Sequence, residues 1–358
     1  MSDGHDSDDA RTTDGDTGTD DATSRGEESD GDEHADDAPE ELTYADAGVD
    51  IGASEEATAA LLDAVGNVVD TEYAGMLEVG DQYLALATDG VGTKLVVSEA
   101  IGDYSTIGID CIAMNVNDLV AAGVEPLAFV DYLAVEDPDD GLAAQIGDGL
   151  ASGAEQAGVA LLGGETAVMP EVIRGFDLAG ACVGMADRDD VLDGEAEPGD
   201  ALVGVPSTGI HSNGLTLARE AVTREHDYDD PFPPEPERTI GEVLLEPTRI
   251  YVHLLEPMRD HGAHAAAHVT GGGWTNLERM GEHRYEVTDP FPIQPVFELI
   301  QSCGAVSDAE MHRTFNMGTG FVIAVSEENA ESLAAAAGGR VIGRVEAGSG
   351  VGIRGLEL

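Results

Sequence analysis

A two-domain protein of layered α/β (α+β) architecture is predicted by three features of the sequence. Apolar strand-like runs alternate with helical stripes, the alternation returns in a second half, and a polar break (Asp189–Asp200, DDVLDGEAEPGD) separates the halves. The 358 residues suffice for two domains of ordinary size. The expected boundaries are an acidic tail over 1–40, an N-terminal domain over 41–190 and a C-terminal domain over 200–358.

The tail carries 16 Asp+Glu, two arginines (Arg11 and Arg25) and almost no large apolar side chain. It cannot bury enough surface to offset its ordering entropy and is expected to be disordered; a regulatory or solvating arm is the alternative. Strand-like runs follow at Tyr83–Ala87, Leu127–Ala134, Val159–Leu162 and Leu178–Met185. Ile112, Val116, Leu119, Val120 and Gly123 fall on one helical stripe, with Asn115 and Asp118 beside it, one turn apart. Leu142, Ile146, Leu150 and Ala154 make a second stripe. Past the break come a strand at Ala201–Val205, a helix from Ser212, a strand at Gly320–Val325 and a helix to about Ala337. Periodicity leaves the sheet order open.

Composition narrows the function. The chain has 72 Asp+Glu against 16 Lys+Arg, a formal charge of -56, and Lys94 is its single lysine. Such a chain repels itself in dilute buffer. Molar salt shrinks the Debye length to about 3 Å, so a salt-rich cytosol, that of a halophile, is expected. Nucleic acid and anionic membranes are poor partners for it. Three scattered cysteines exclude a disulfide framework or a CxxC metal site. With no signal-peptide h-region and no run of 18 apolar residues, a soluble cytoplasmic protein is expected.

Thr88-Asp-Gly-Val-Gly-Thr-Lys94 follows a strand and opens with a turn signal. Its glycines let amides approach an anion, and Lys94 can place an ammonium on a phosphate; the plain alternative is a tight turn with a solvated lysine. It is no Walker A loop, because the order is Gly-Thr-Lys. Asp118 with Asp89 could hold Mg²⁺ through oxygens and waters, or could edge an amphipathic helix. Gly163-Gly-Glu165 offers another acid at a strand end, and Asp131 is an acid inside an apolar strand. Ile210-His-Ser-Asn-Gly214 and His268-Val-Thr-Gly-Gly-Gly273 are glycine-bearing loops, each expected to lead into a helix that favours an anion. His211 and His268 border these turns; a lone histidine is more often structural.

The order of the motifs is more specific than any one of them. LTYADAGVDI (42–51), TDGVGTK (88–94), IGIDCIAMNVNDLVAAGVEPLAFVDYLA (107–134), LLGGETAVMP (161–170), DLAGACVGM (177–185), GIHSNG (209–214), EPTRIYV (246–252), AHVTGGG (267–273) and RTFNMGTG (313–320) together resemble the phosphoribosylformylglycinamidine cyclo-ligases, or AIR synthetases. The resemblance runs from Leu42 to the C-terminus. It implies a two-domain AIR-synthetase-like fold with an N-terminal ATP-binding and dimerisation domain. It implies ATP-dependent closure of formylglycinamidine ribonucleotide to aminoimidazole ribonucleotide, with ATP and Mg²⁺ as cofactors, K⁺ as a further candidate, and a homodimer. Carried over, Asp89, Gly90, Gly92, Thr93, Lys94, Asn115, Gly271 and Gly272 would contact nucleotide, and Asp89, Asp118 and Glu165 would hold Mg²⁺. Lys94, His211 and His268 would be the catalytic candidates, the histidines for acid–base work or for contact with the transferred phosphoryl group. Thr248 and Arg249 would have a structural or a binding part.

The sequence departs from that pattern twice. Many bacterial members carry a long glycine-rich loop with a lysine before TDGVGTK; here residues 70–77 are short, leaving Tyr73 and Gly75. Val168 and Glu171 stand where an acid and a glycine are expected. Another ATP-using enzyme of the same fold, or a nucleotide-binding protein without turnover, are the alternatives.

Overall fold

The structure is a computed structural model and describes residues 41–49, 51–65, 73–192 and 195–358. The tail expected over 1–40 lies outside the described residues, as do residues 70–72 of the shortened loop; Tyr73 and Gly75 lie within them. Helix α1 (Ile51–Val65) precedes five strands: β1 (Gly75–Val79), β2 (Gln82–Gly90), β3 (Glu125–Val135), β4 (Ala160–Val168) and β5 (Phe176–Asp187). They form one sheet in the order β1-β2-β5-β3-β4, antiparallel except for the β3–β4 pair. Between them lie α2 (Lys94–Ile101), α3 (Ile107–Ala121) and α4 (Asp140–Ala157). The strand and helix runs read from the first half of the sequence fall in or next to these elements.

Helix α3 covers the inner face of the sheet. Its sequence suggested one apolar stripe, yet nearly every residue is buried, Asp110, Asn115 and Asn117 included. Sheet on one side, α4 and the C-terminal half on the others, leave it no solvated face. Each large apolar side chain buried there contributes about 1.5–3 kcal/mol. Gly108 permits the α3–α4 contact: a Cβ there would lie 2.1 Å from the Leu150 nitrogen. Helix α4 begins where the Asp139 carboxylate accepts from the Leu142 amide and ends at Gly158, φ 70°.

The second half is a seven-stranded sheet. Its order is Leu356–Glu357, Gly350–Ile353, Arg284–Val287, Arg340–Glu346, β6 (Ala201–Pro206), Thr319–Val325 and Ala263–His268. Thr319–Val325, one strand in from the edge, is buried at every position, which suits its continuous apolar run in a covered sheet. Helix α5 (Leu215–Val222) follows the GIHSNG loop. One hydrophobic cluster runs from Leu42 through both halves to Ile353. No helix among the described residues is long and apolar enough to cross a membrane, and all three cysteines are free and buried.

Candidate active site

Where the two halves meet, α3 supplies a row of polar side chains, each fixed by a partner distant in sequence. Asn115 accepts the Asp89 amide at 2.8 Å and returns its own N–H to the Asp89 carbonyl at 3.2 Å. Asn117 accepts the Tyr251 amide at 2.9 Å and donates to the Arg249 carbonyl at 2.8 Å. Those backbone bonds fix the orientation of the Asn117 amide, whose Nδ2 also lies 3.3 Å from His268 Nε2. That ring nitrogen is therefore the acceptor, and Nδ1 carries the proton toward Asp118 Oδ1 at 3.2 Å. His268 is fully buried, whereas the Asp118 side chain keeps 23% of its surface exposed.

Asp89 ends the inner face of β2, and its Oδ1 accepts from the Gly90 amide at 2.7 Å. Burial, and then the Asp118 charge, raise its carboxyl pKa to about 6. Two carboxylates thus converge on one place, held there by a helix, a strand end and a histidine.

The loop bearing His211 is set by residues whose role the sequence did not signal. Asn316, from RTFNMG, donates to the carbonyls of Gly209 and Ile210 and accepts from the Ser207 hydroxyl. His211 itself sits at φ 68°. Its Nε2 accepts from the Thr208 amide at 3.2 Å, which leaves a protonated Nδ1 that is buried and has no hydrogen-bond partner. Burial pushes its pKa well below the ordinary histidine value, helped by His268, Lys94 and Arg249. The glycines of TGGG wrap around Asn276, which donates to the Gly271 and Gly273 carbonyls. They lead into a 3₁₀ helix, Gly273–Met280.

The family description "AIR synthase related protein, N-terminal domain" matches residues 71–186, and its C-terminal counterpart matches residues 197–355. The phosphoribosylformylglycinamidine cyclo-ligase of Methanosarcina acetivorans is 45% identical over 328 residues, covering 88% of this chain and 98% of that relative. The chain belongs to the phosphoribosylformylglycinamidine cyclo-ligase family. A cyclo-ligase of Thermococcus gammatolerans is 47% identical over 308 residues, covering 81% of this chain and 90% of that relative. Among solved structures, tt0281 from Thermus thermophilus matches with a TM-score of 0.60 at 25% identity, over 85% of this chain and 97% of that one. AaThiL complexed with AMPPCP and TMP gives 0.62 at 18% identity, over 86% and 94%; this likeness shows the fold alone.

Set against the roles carried over from the cyclo-ligase family, the geometry brings Asp89, Asn115, Asp118 and His268 together. It corrects two expectations. Lys94 does not face an open phosphate site: it is fully buried, and its Nζ donates to Asp110 Oδ1 at 2.9 Å and to the Glu246 carbonyl at 2.6 Å. An ammonium that far from water is held by the carboxylate opposite it, and its reach is spent there. Glu165 does not join Asp89 and Asp118 within the protomer. It pairs with Tyr132 in the β3–β4 register, so its side chain lies on the outer face of the sheet, while Asp89 shares the inner face with Gly180, Asp131 and Gly164. The Asp131 carboxylate leans over Gly164, where a Cβ would stand 2.4 Å from its Oδ1. Both histidines are buried, with His268 fully bonded and His211 keeping one free donor. Gly92, φ 71°, turns the chain into α2, and Thr93 Oγ1 lies 2.6 Å from Thr216 Oγ1 of α5.

Proposed function

We propose that this chain closes the imidazole ring of aminoimidazole ribonucleotide. The γ-phosphoryl group of ATP passes to the formyl oxygen of formylglycinamidine ribonucleotide. ADP departs in that transfer; the amidine nitrogen then attacks the activated carbon, and inorganic phosphate leaves with that oxygen. An amide oxygen is a poor leaving group until it is phosphorylated, so the protein's work is alignment, charge neutralisation and exclusion of water. The observation that carries this reading is the near-complete match of both halves to cyclo-ligases at 45% identity.

Asp89 and Asp118 are the proposed Mg²⁺ carboxylates. Their convergence, and the raised Asp89 pKa, fit a site that a cation completes. Among the described residues, the one group of three donors within 4.8 Å of one another is Glu225, His226 and Cys303, so the junction offers a pair of carboxylates, not a closed cage. Mg²⁺ suits such a pair, because it keeps waters and takes further oxygens from phosphate. When bound, it supplies charge neutralisation at the phosphates. Gly90, Gly92, Thr93 and the Gly271–Gly272 amides are the proposed nucleotide contacts. Neutral His211, with Nδ1 protonated, suits hydrogen-bond donation better than proton abstraction.

Assembly and setting belong to the same reading. The outer face of the N-terminal sheet exposes Leu77 (62%), Leu86 (55%), Val130 and Tyr132, which supports a homodimer through that face. The charge of -56 supports work in molar salt with K⁺ as its cation, in a cytosol. Residues 41–190 and 200–358 are proposed as the two domains.

The test is product formation from formylglycinamidine ribonucleotide and ATP in molar KCl with Mg²⁺. Label placed in the formyl oxygen should appear in inorganic phosphate. ADP formation with other acceptors and none here would move the chain to another ATP-using activity of the same fold.

A further inference from the structure

The single lysine has a different task from the one its motif suggests. Lys94 opens α2 and is completely enclosed. Its partner Asp110 lies in the first turn of α3, with Oδ1 and Oδ2 each 2.9 Å from Nζ. Oδ1 also accepts from the Thr248 amide at 2.8 Å and the Thr248 hydroxyl at 2.6 Å, whereas Oδ2 takes no hydrogen bond. The Thr248 hydroxyl lies 3.2 Å from Ser212 Oγ, next to His211. Nζ closes the circuit by donating to the Glu246 carbonyl, two residues before Thr248. One N-terminal ion pair therefore grips the C-terminal segment 246–248 at three atoms and reaches the GIHSNG loop through a hydroxyl.

We infer that Lys94 and Asp110 are positioning residues, which set the segment 246–251 and the GIHSNG loop against the Asp89–Asp118 site through Thr248. Three observations favour this over a phosphate contact. The ammonium is sealed from solvent and gives two of its three donors to a carboxylate and a carbonyl. The segment it holds continues into Arg249 and Tyr251, whose backbone groups are bound by Asn117, the residue against His268. A pocket of about 360 Å³ is walled by that same segment, with Thr208, Arg249 and His253 in its lining. The ion pair fixes geometry on the C-terminal side, while the proposed metal carboxylates lie on the N-terminal side. Arginine cannot substitute, since its planar fork needs more room than a sealed ammonium occupies.

The inference rests on the proposed cyclo-ligase reading, and the test separates the two. Thr248→Val keeps the shape, the backbone bond to Asp110 and the ion pair, but cuts the hydroxyl's bonds to Asp110 and Ser212; Thr248→Ser keeps the hydroxyl. For Thr248→Val, kcat/KM for formylglycinamidine ribonucleotide should fall at least about tenfold, with the ATP dissociation constant within about threefold of the parent and Thr248→Ser near normal. Lys94→Met, assayed in molar salt where it folds, should show the same split. A matching loss of ATP affinity in Lys94→Met would make Lys94 a phosphate ligand and overturn the inference, as would parental kcat/KM in Thr248→Val. Amide exchange is the arm that needs no turnover: residues 207–214 should exchange faster in Thr248→Val, and unchanged protection there also overturns it. A parental protein that forms no product defeats the cyclo-ligase reading alone, and the exchange result still decides this one.

Discussion

Thr248 gives both its backbone N–H and its hydroxyl to one oxygen of Asp110, a residue 138 positions earlier in the chain. Charge-assisted bonds of this kind are about twice as strong as neutral ones, and these lie out of reach of water. Because the oxygen also holds Lys94, the cost of breaking the group is set by what stays behind, unpaired and buried. Lys94→Met strands the Asp110 carboxylate and should destabilise by about 3–5 kcal/mol. Adding Asp110→Asn, which removes the charge yet still accepts from Thr248, should recover part of that loss. Urea titration in molar KCl, followed by the lone, fully buried Trp274, reads both. Strict additivity of the two substitutions would show that the pair is not coupled.

His211 makes stability depend on pH in a definite direction. Its folded pKa lies well below the ordinary value because burial penalises the cation. Below about pH 6.5 the unfolded chain takes up a proton that the folded one refuses, so stability falls as pH drops, by up to about 1.4 kcal/mol per pH unit from this group. His211→Asn tolerates the positive φ and has no such proton to take. Between pH 7.5 and 5.5 the parent should lose more stability than the variant; equal losses would contradict a buried neutral imidazole.

Asp89 works in the opposite sense. Its pKa is raised to about 6 by burial and by Asp118, so the folded state without metal binds a proton more readily than the unfolded state. Stability from this group is present at low pH and is lost as pH rises from about 4 to about 6. Asp89→Asn should therefore stabilise the metal-free protein at pH 8, by about 1–2 kcal/mol, and change little near pH 4. The same variant should need at least about tenfold more Mg²⁺ for half-maximal turnover, because one of the two proposed carboxylate ligands is gone. Greater stability with a weaker metal site marks a group kept for function. Thermal melts with EDTA and a Mg²⁺ titration measure the two halves of the claim.

Much of the fold was legible because its signals are local. The apolar run Leu127–Ala134 and the stripe through Ile112, Val116 and Leu119 follow from side-chain periods of 2 and 3.6, which need no knowledge of neighbours. The Asp89–Asp118 pairing was legible for a related reason: each sits at a fixed point of its own element, where Asn115 and β2 meet. Lys94 was misread because nothing in TDGVGTK reveals that Asp110 lies opposite it. Glu165 was misplaced by strand register: a shift between Phe129 and Val130 in the β3–β4 ladder decides which face it takes, and one residue of slip reverses the answer. Asn316 gave no signal, since an asparagine that ties two carbonyls of a distant loop looks like any loop asparagine.

Residues 1–40 carry 16 acids and almost no large apolar side chain with which to join a core. Their removal should leave turnover within about twofold in molar salt. A large loss of activity from a protein that still folds would instead give the acidic segment a part in the reaction or its control.

The outer face of the N-terminal sheet should close on a second copy of the chain. In β2 and β3 the inner residues, Ala85, Ala87 and Phe129, are buried, while Leu86, Val130 and Tyr132 on the other face are exposed. Strands with polar outer faces would alternate apolar and polar; these keep apolar side chains on both, which costs solubility unless something covers them. Leu86→Asp and Val130→Asp each place a charge inside that contact, and an unpaired buried charge is expensive. Sedimentation in molar KCl should show a dimer for the parent and a monomer, still folded, for either variant. A parent that sediments as a monomer would remove this face from any part in assembly. Loss of turnover along with the dimer would place the nucleotide site next to the partner's sheet, whereas full activity in a monomer would confine it to one chain.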